Sequence, residues 1–261
     1  MPAADRTEVS FVAFNDIHGR FGILSQMLAA AKRPADFVVF NGDMLSYLDD
    51  EVQVLALLKA GSEAFAGSKP LVYVRGNHET RGSYARLLRN YLALPGDRYY
   101  YSFDCGPVHV TVLDTGEDKV DSHWAYSGLA DFDRYRSEQA EWLRHEIKSP
   151  AFLKAKYRVV LAHMPFPEAS GTEEYHGMAD ANAKFGPLLR AAGVDLLISA
   201  HEHKWAIMKP VEGKHDYAIV RGGGPEQPTL IHVAADSKTL SVQVLLQDGT
   251  TAESYAMKAQ P

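Results

Sequence analysis

Val9-Ser10-Phe11-Val12-Ala13-Phe14-Asn15-Asp16-Ile17-His18 is a nearly unbroken apolar run that stops at an Asp-x-His pair. Apolar runs of this length, bounded by polar residues, read as strands buried on both faces. The pattern recurs at Phe37–Phe40 before Gly42-Asp43, and at Leu71–Val74 before Gly76-Asn77-His78-Glu79. It recurs again at Val159–Ala162 before His163, and at Leu196–Ser199 before His201-Glu202-His203. A sixth such run is Val108–Leu113. Helical periodicity fills Ile23–Lys32, Val52–Ala66, Arg136–Lys148 and Asn182–Ala192, and strand alternating with helix predicts an α/β layered fold. Open α/β sheets bind ligands beyond the carboxyl ends of their strands, so the five polar loops are expected to converge on one site.

From Tyr99 the pattern changes. Tyr99 to Phe103 and Val108 to Leu113 read as strands around an Asp-Cys-Gly-Pro turn, and Thr229–Ala234 with Leu240–Leu246 make a second pair. Hairpins mixed with strand-helix units predict two sheets packed face to face with helices outside. No repeat, low-complexity stretch or linker interrupts residues 1–261, which read as a single domain. Asp118 to Asp133 and Pro165 to Asp180 are long segments without periodicity, a length that favours a functional role.

With 27 Lys and Arg against 33 Asp and Glu, the net charge of −6 carries no electrostatic footprint of a nucleic-acid binder and suits a protein that gathers cations. The lone cysteine, Cys105, cannot form an intrachain disulfide and reads as a small core residue. Met1 to Ser10 lacks the charged and apolar regions of a signal peptide, and no run approaches the ~20 apolar residues of a membrane span. The chain reads as soluble, either cytoplasmic or exported and processed.

The strand-end residues offer oxygen and nitrogen donors without a thiolate, a set suited to Mn, Fe or Zn. Seven or eight donors exceed what one ion needs and point to two ions sharing a bridging carboxylate, with Asp43 the candidate bridge. Such a pair can bind a nucleophile and a phosphoryl oxygen together while generating hydroxide near neutral pH. Each motif has a plainer reading: Asp16 as a helix cap, Gly42-Asp43 as a turn, His163 as a core histidine. Their ordered recurrence at strand ends favours the metal site.

Asp16-x-His18, Gly42-Asp43, Gly76-Asn77-His78-Glu79, His163 and His201-x-His203 resemble, in order and spacing, the motifs of the calcineurin-like metallophosphoesterase superfamily. That superfamily includes purple acid phosphatases, phosphoprotein phosphatases and many phosphodiesterases. The resemblance implies a four-layer α/β/β/α sandwich of two mixed sheets flanked by helices, and two metal ions per chain. It places one ion on Asp16, His18 and His203, the other on Asn77, His163 and His201, and Asp43 between them. His78 is implied to approach the substrate as proton donor to the leaving group, and hydroxide on the metals to be the nucleophile. Arg20, Arg81 and His176 are the candidate substrate contacts, His176 because purple acid phosphatases carry an extra histidine in that region.

The sequence also departs from the family. Ala200 stands where a glycine usually precedes the last motif, and Tyr47 lies four residues after Asp43, where purple acid phosphatases place a charge-transfer tyrosine at three. Met44-Leu45-Ser46 replaces the phosphate-binding element of phosphoprotein phosphatases, which disfavours that branch. Glu79 is expected to brace the loop that follows it. Arg221-Gly222-Gly223-Gly224-Pro225 lacks the ending of a nucleotide-binding loop and is expected to be a turn needing positive φ. Trp124, Tyr126, Phe166, Tyr175 and Trp205 are expected to supply aromatic walls for a small phosphoester, monoester or diester. A non-catalytic scaffold of the same fold is the alternative. Metal identity, substrate and oligomeric state are not fixed by the motifs.

Overall fold

The computed structural model describes residues 5–168 and 173–259. Six strands, β1 (Val9–Phe14), β2 (Phe37–Asn41), β3 (Leu71–Val74), β10 (Thr229–Ala235), β11 (Thr239–Leu246) and β12 (Thr251–Lys258), form one sheet in the order β12-β11-β10-β1-β2-β3. The other six, β4 (Tyr101–Cys105), β5 (Val108–Leu113), β6 (Tyr157–Ala162), β7 (Leu196–Ser199), β8 (Ala206–Met208) and β9 (Ala218–Arg221), form a second in the order β4-β5-β6-β7-β9-β8. Both are mixed: β1, β2 and β3 run parallel while β10 pairs antiparallel to β1. In the second sheet β5, β6, β7 and β9 run parallel, with antiparallel β4 and β8 at the edges.

Apolar side chains account for the layering. Phe11, Val39, Val74, Val110, Leu161, Ile198 and Val233 fill the space between the sheets. The outer face of the first sheet carries Val12, Phe14, Val38 and Phe40 against Leu24 and Met27 of α1 (Gly22–Ala31) and Val54 and Leu57 of α2 (Glu51–Ala64). Outside the second sheet, Val160, Ala162 and Leu197 pack against Leu143 of α3 (Phe132–Glu146), Phe152 of α4 (Pro150–Lys154) and Phe185 of α5 (His176–Ala191). The result is an α/β/β/α sandwich whose inner strands are buried on both faces, as their unbroken apolar runs require. At the start of α2, the Asp50 carboxylate accepts from Gln53 N at 3.1 Å and the Gln53 amide oxygen accepts from Asp50 N at 3.3 Å, a reciprocal cap.

Strands β8, β9 and β12 are additions to the sequence reading, and α3 and α5 begin four and six residues earlier than their periodicity predicts. Of the two long segments, Asp118 to Asp133 contains only the helical turn Trp124–Tyr126 before α3 begins. Pro165 to Asp180 contains short turns at Phe166–Glu168 and Glu173–Tyr175 and then the start of α5, with residues 169–172 outside the described part. Phe166 is fully buried against α5 and is no wall of an open site. Cys105 is buried as expected, and burial pushes its thiol up to about 11. Among the described residues no helix is long and apolar enough to cross a membrane.

Candidate metal centre

Five loops leave the carboxyl ends of β1, β2, β3, β6 and β7 and carry Asp16 and His18, Asp43, Asn77 and His78, His163, and His201 and His203 respectively. Parallel alignment within each sheet sends these ends to the same edge, and stacking of the two sheets brings the edges together. Backbone hydrogen bonds tie the loops directly: Asp16 N donates to Gly42 O and His18 N to Asp43 O, both at 3.0 Å, and Ala200 N to His163 O at 2.7 Å. Of the nine described non-glycine residues with positive φ, five are Asp16, His18, Asp43, His201 and His203. Strain of this kind is held at functional sites by the surrounding structure.

The side chains converge. Asp43 Oδ2 lies 3.2 Å from His163 Nε2 and 3.9 Å from both His18 Nε2 and His78 Nε2. Asp16 Oδ1 lies 3.4 Å from His203 Nε2, and the His18 and His203 Nε2 atoms face each other at 3.3 Å. His201 Nδ1 is 3.0 Å from Asn77 Oδ1, and His201 N donates to Asp16 Oδ2 at 3.0 Å. Two metal-sized donor groups result, Asp16-His18-His203 and Asp43-His163-His201; a third, His18-Asp43-His78, overlaps both. Asp16 Oδ1 and His163 Nε2 are buried without a hydrogen-bond partner. The contacts these two atoms do make, to Asp43 and His203, are ion-pair distances without hydrogen-bond geometry, and carboxylates and imidazoles crowded into one space fit a cation. Asp16 caps no helix: α1 has no side-chain cap.

Electrostatics among these side chains point the same way. Burial alone would raise the Asp43 carboxyl, yet His163 and His78 hold it below the usual carboxylate range. Burial opposes a charge on His163, but the Asp43 carboxylate outweighs it and pushes the imidazole up to about 10. Burial and the charge on His163 lower His201 to about 4. The Asp43 and Asp16 carboxylates thus favour a positive charge in the space between these side chains.

Asn15 supports the centre without having been singled out by the sequence, while Glu79 and the Gly222–Gly224 segment act otherwise than expected. Glu79, fully buried, accepts from Asp43 N at 2.9 Å, Leu45 N at 3.0 Å and Gly76 N at 2.8 Å. It therefore braces the loops after β2 and β3, which precede it, rather than the loop that follows. Burial together with the Asp43 charge raises Glu79 to about 7. Asn15 donates to Asp16 Oδ2 at 2.8 Å and to Gly223 O at 2.6 Å, fixing the Asp16 rotamer. The Gly222–Gly224 segment has no positive φ, contrary to expectation; its glycines serve close approach. A Cβ on Gly222 would lie 1.8 Å from Asn15 Oδ1, and one on Gly224 would lie 2.4 Å from His203 Cβ. Close approach also explains Gly42 and Gly76, whose added Cβ atoms would meet His163 Nδ1 at 2.4 Å and Asp43 Oδ1 at 2.2 Å.

The substrate-contact candidates divide. Arg81 reaches the centre: Nη1 is 3.4 Å from His78 Nε2, while Nε and Nη2 each donate to the buried Glu117 carboxylate at 2.8 Å. His78 Nδ1 donates to Ser46 O at 2.9 Å, leaving Nε2 turned toward Asp43 and Arg81. Arg20 instead bonds Pro225 O at 3.0 Å and Glu226 at 2.9 Å, on the exposed rim. His176 starts α5 and places Nε2 2.9 Å from Asp133, beside Arg136, in a network joining α3 to α5 and apart from the donor groups at the strand ends. Tyr47 turns its ring to His78, 6.1 Å away, and is half exposed.

The sequence profile of the calcineurin-like phosphoesterase family matches residues 9–205. Purple acid phosphatase 18 from Arabidopsis thaliana is 25% identical over 167 residues, 59% of this chain and 35% of that protein. Purple acid phosphatase 21 from the same plant is 27% identical over 196 residues, 70% of this chain and 41% of its own. The chain thus spans well under half the length of these curated relatives. In fold it is similar to a purple acid phosphatase from yellow lupin (Lupinus luteus) seeds, with a TM-score of 0.76 at 16% identity over 99% of this chain and 55% of the other. With the profile spanning all five strand-end motifs, the chain belongs to the calcineurin-like phosphoesterase family.

Proposed function

We propose that this chain, folded as one domain, is a binuclear metal-dependent hydrolase of small phosphate esters. The observation that carries the reading is the placement of Asp43 Oδ2 within 3.9 Å of three imidazole nitrogens, beside the buried Asp16 Oδ1. Asp16, His18 and His203 would hold one ion, and Asn77, His163 and His201 the other, with Asp43 shared. When bound, the ions supply Lewis acidity to phosphoryl oxygens and lower the pKa of water.

The chain's own residues do the rest. Ser46 O accepts from His78 Nδ1, so in the imidazolium form, with both ring nitrogens protonated, Nε2 is the atom left to give its proton to the ester oxygen. One P–O ester bond breaks as a P–O bond to a water-derived oxygen forms; the departing oxygen takes the His78 proton, and the proton that the water loses passes to solvent, from which His78 is reprotonated. Arg81, immobilised by Glu117, presents Nη1 beside His78 to a phosphate oxygen. Arg20 and His176 would touch substrate only through movement away from Glu226 and Asp133.

The test is hydrolysis of a chromogenic monoester and the matching diester by His78→Ala and wild-type protein, each reloaded with metal. Loss of turnover in His78→Ala, smaller for esters with good leaving groups, is expected of a proton donor. Equal rates in the two proteins would remove His78 from the chemistry.

A further inference from the structure

Next to His78 a cleft of about 820 Å³ opens between Tyr47, the Thr80–Arg86 segment and the loop from Glu117 to Phe132. That volume falls within the roughly 300–1,000 Å³ range of small-molecule sites. Two of the lining residues, Tyr47 and Arg81, face His78 at the border of the candidate metal centre. The Tyr47 ring lies 6.1 Å from the His78 ring, and Arg81 Nη1 lies 3.4 Å from His78 Nε2. An ester oxygen held at His78 Nε2 therefore has its alcohol portion directed across Arg81 and Tyr47 into this space.

The lining has two characters. Leu129, 72% exposed, and Tyr47, 51% exposed, turn large apolar surfaces to solvent at the cleft, with Tyr126 and Phe132 beside them. Four cations line it, and three are consumed: Arg75 by Asp114 at 2.6 Å, Arg81 by Glu117 at 2.8 Å, and Lys119 by Glu174 at 2.9 Å. The fourth, Arg86, is exposed and has no hydrogen-bond or ion-pair partner among the described residues. The one acidic lining residue, Glu117, is already taken by Arg81, Thr80 and Tyr126. The wall is preformed: the Asp121 carboxylate accepts from Phe132 N at 2.9 Å and Asp133 N at 3.0 Å.

We infer that this cleft is the leaving-group subsite, and that it takes an aromatic or other planar apolar body bearing a second negative group, which pairs with Arg86. Tyr47 and Leu129 cover the apolar body; Arg86 reads the anion. The inference rests on the phosphoester reading of the metal centre, which places the phosphoryl group at His78.

Calorimetric binding of two non-hydrolysable probes to metal-loaded protein tests it independently of turnover. The probes are benzylphosphonate and 4-carboxybenzylphosphonate, with inorganic phosphate as the reference. A second charge worth one charge-assisted hydrogen bond should make the carboxylated probe bind about tenfold tighter, an advantage that Arg86→Ala abolishes while leaving phosphate binding unchanged. Leu129→Ser should weaken both aryl probes by about threefold or more and leave phosphate untouched. Both positions are exposed, so neither variant should disturb folding. Equal affinity of wild-type protein and both variants for the two aryl probes would overturn the subsite. Probe discrimination without any ester turnover would retain the subsite and overturn the hydrolase instead.

Discussion

Glu79 shows how one side chain can brace a candidate metal centre from outside its donor groups. Its carboxylate accepts three backbone N–H groups from the loops that carry Asp43 and Asn77. Removing it leaves three buried donors unsatisfied, so Glu79→Ala is expected to cost about 3 kcal/mol or more of stability, read from urea unfolding midpoints, and to lower bound metal. Gly222→Ala acts at longer reach: its methyl group would strike Asn15, which orients Asp16. The expected outcome is loss of one of two ions per chain by elemental analysis, with little change in secondary structure by circular dichroism. Ser46, not a tyrosine, stands three residues after Asp43, and Tyr47 turns toward His78 and the cleft. Iron-loaded protein is therefore expected to lack a visible phenolate charge-transfer band; such a band, lost in Tyr47→Phe, would place Tyr47 on the metal. His163 sets a pH dependence in metal-free protein. Its folded pKa, pushed up to about 10 by Asp43, exceeds the ordinary 6.5, so the pair stabilises the fold fully below 6.5 and loses that contribution as pH rises through 10. The melting temperature of chelated protein should fall across that window, and metal-loaded protein should not follow it, because the metal replaces the proton.

Helices α3 and α5 are joined by a fully buried Arg136, which bonds Asp180 and Asp133 at 2.6 Å and Thr115 O at 2.8 Å. His176 and Lys184 complete the network. Removing the cation strands the buried Thr115 carbonyl and leaves two partly exposed carboxylates without it, and Arg136→Met is expected to cost about 1–3 kcal/mol, while His176→Ala should lower the melting temperature without raising KM. A raised KM with unchanged melting would return His176 to the substrate. The strands that support the site were legible because β1, β2, β3, β6 and β7 are continuous apolar runs, each stopped by a donor residue. Strand β12 was not: Thr251–Lys258 lies at a sheet edge with one face exposed, and its Ala, Glu and Ser give little strand signal. The start of α5 was hidden by Gly177. Gly177 is required there, since a Cβ would lie 1.9 Å from Glu117 O. The metal donors were readable from their order along the chain. The Asn15 support and the loops that Glu79 braces were not, because their partners, Gly223 and the Asp43 backbone, lie 208 and 36 residues away.

Two six-stranded sheets face each other so that the carboxyl ends of parallel strands from both meet at one edge. No single sheet could supply the site: Asp16, Asp43 and Asn77 come from the first, His163, His201 and His203 from the second. Metal binding should therefore clamp the sheets together and raise the melting temperature of the whole chain. The decisive experiment strips the protein with chelator, restores Mn, Fe or Zn separately, and follows bound metal and ester hydrolysis together, with Asp43→Asn as control. Two ions per chain, hydrolysis that returns with them, and loss of both in Asp43→Asn is the expected result. Hydrolysis that survives chelation, or that persists at full rate in Asp43→Asn, would contradict a binuclear centre bridged by Asp43.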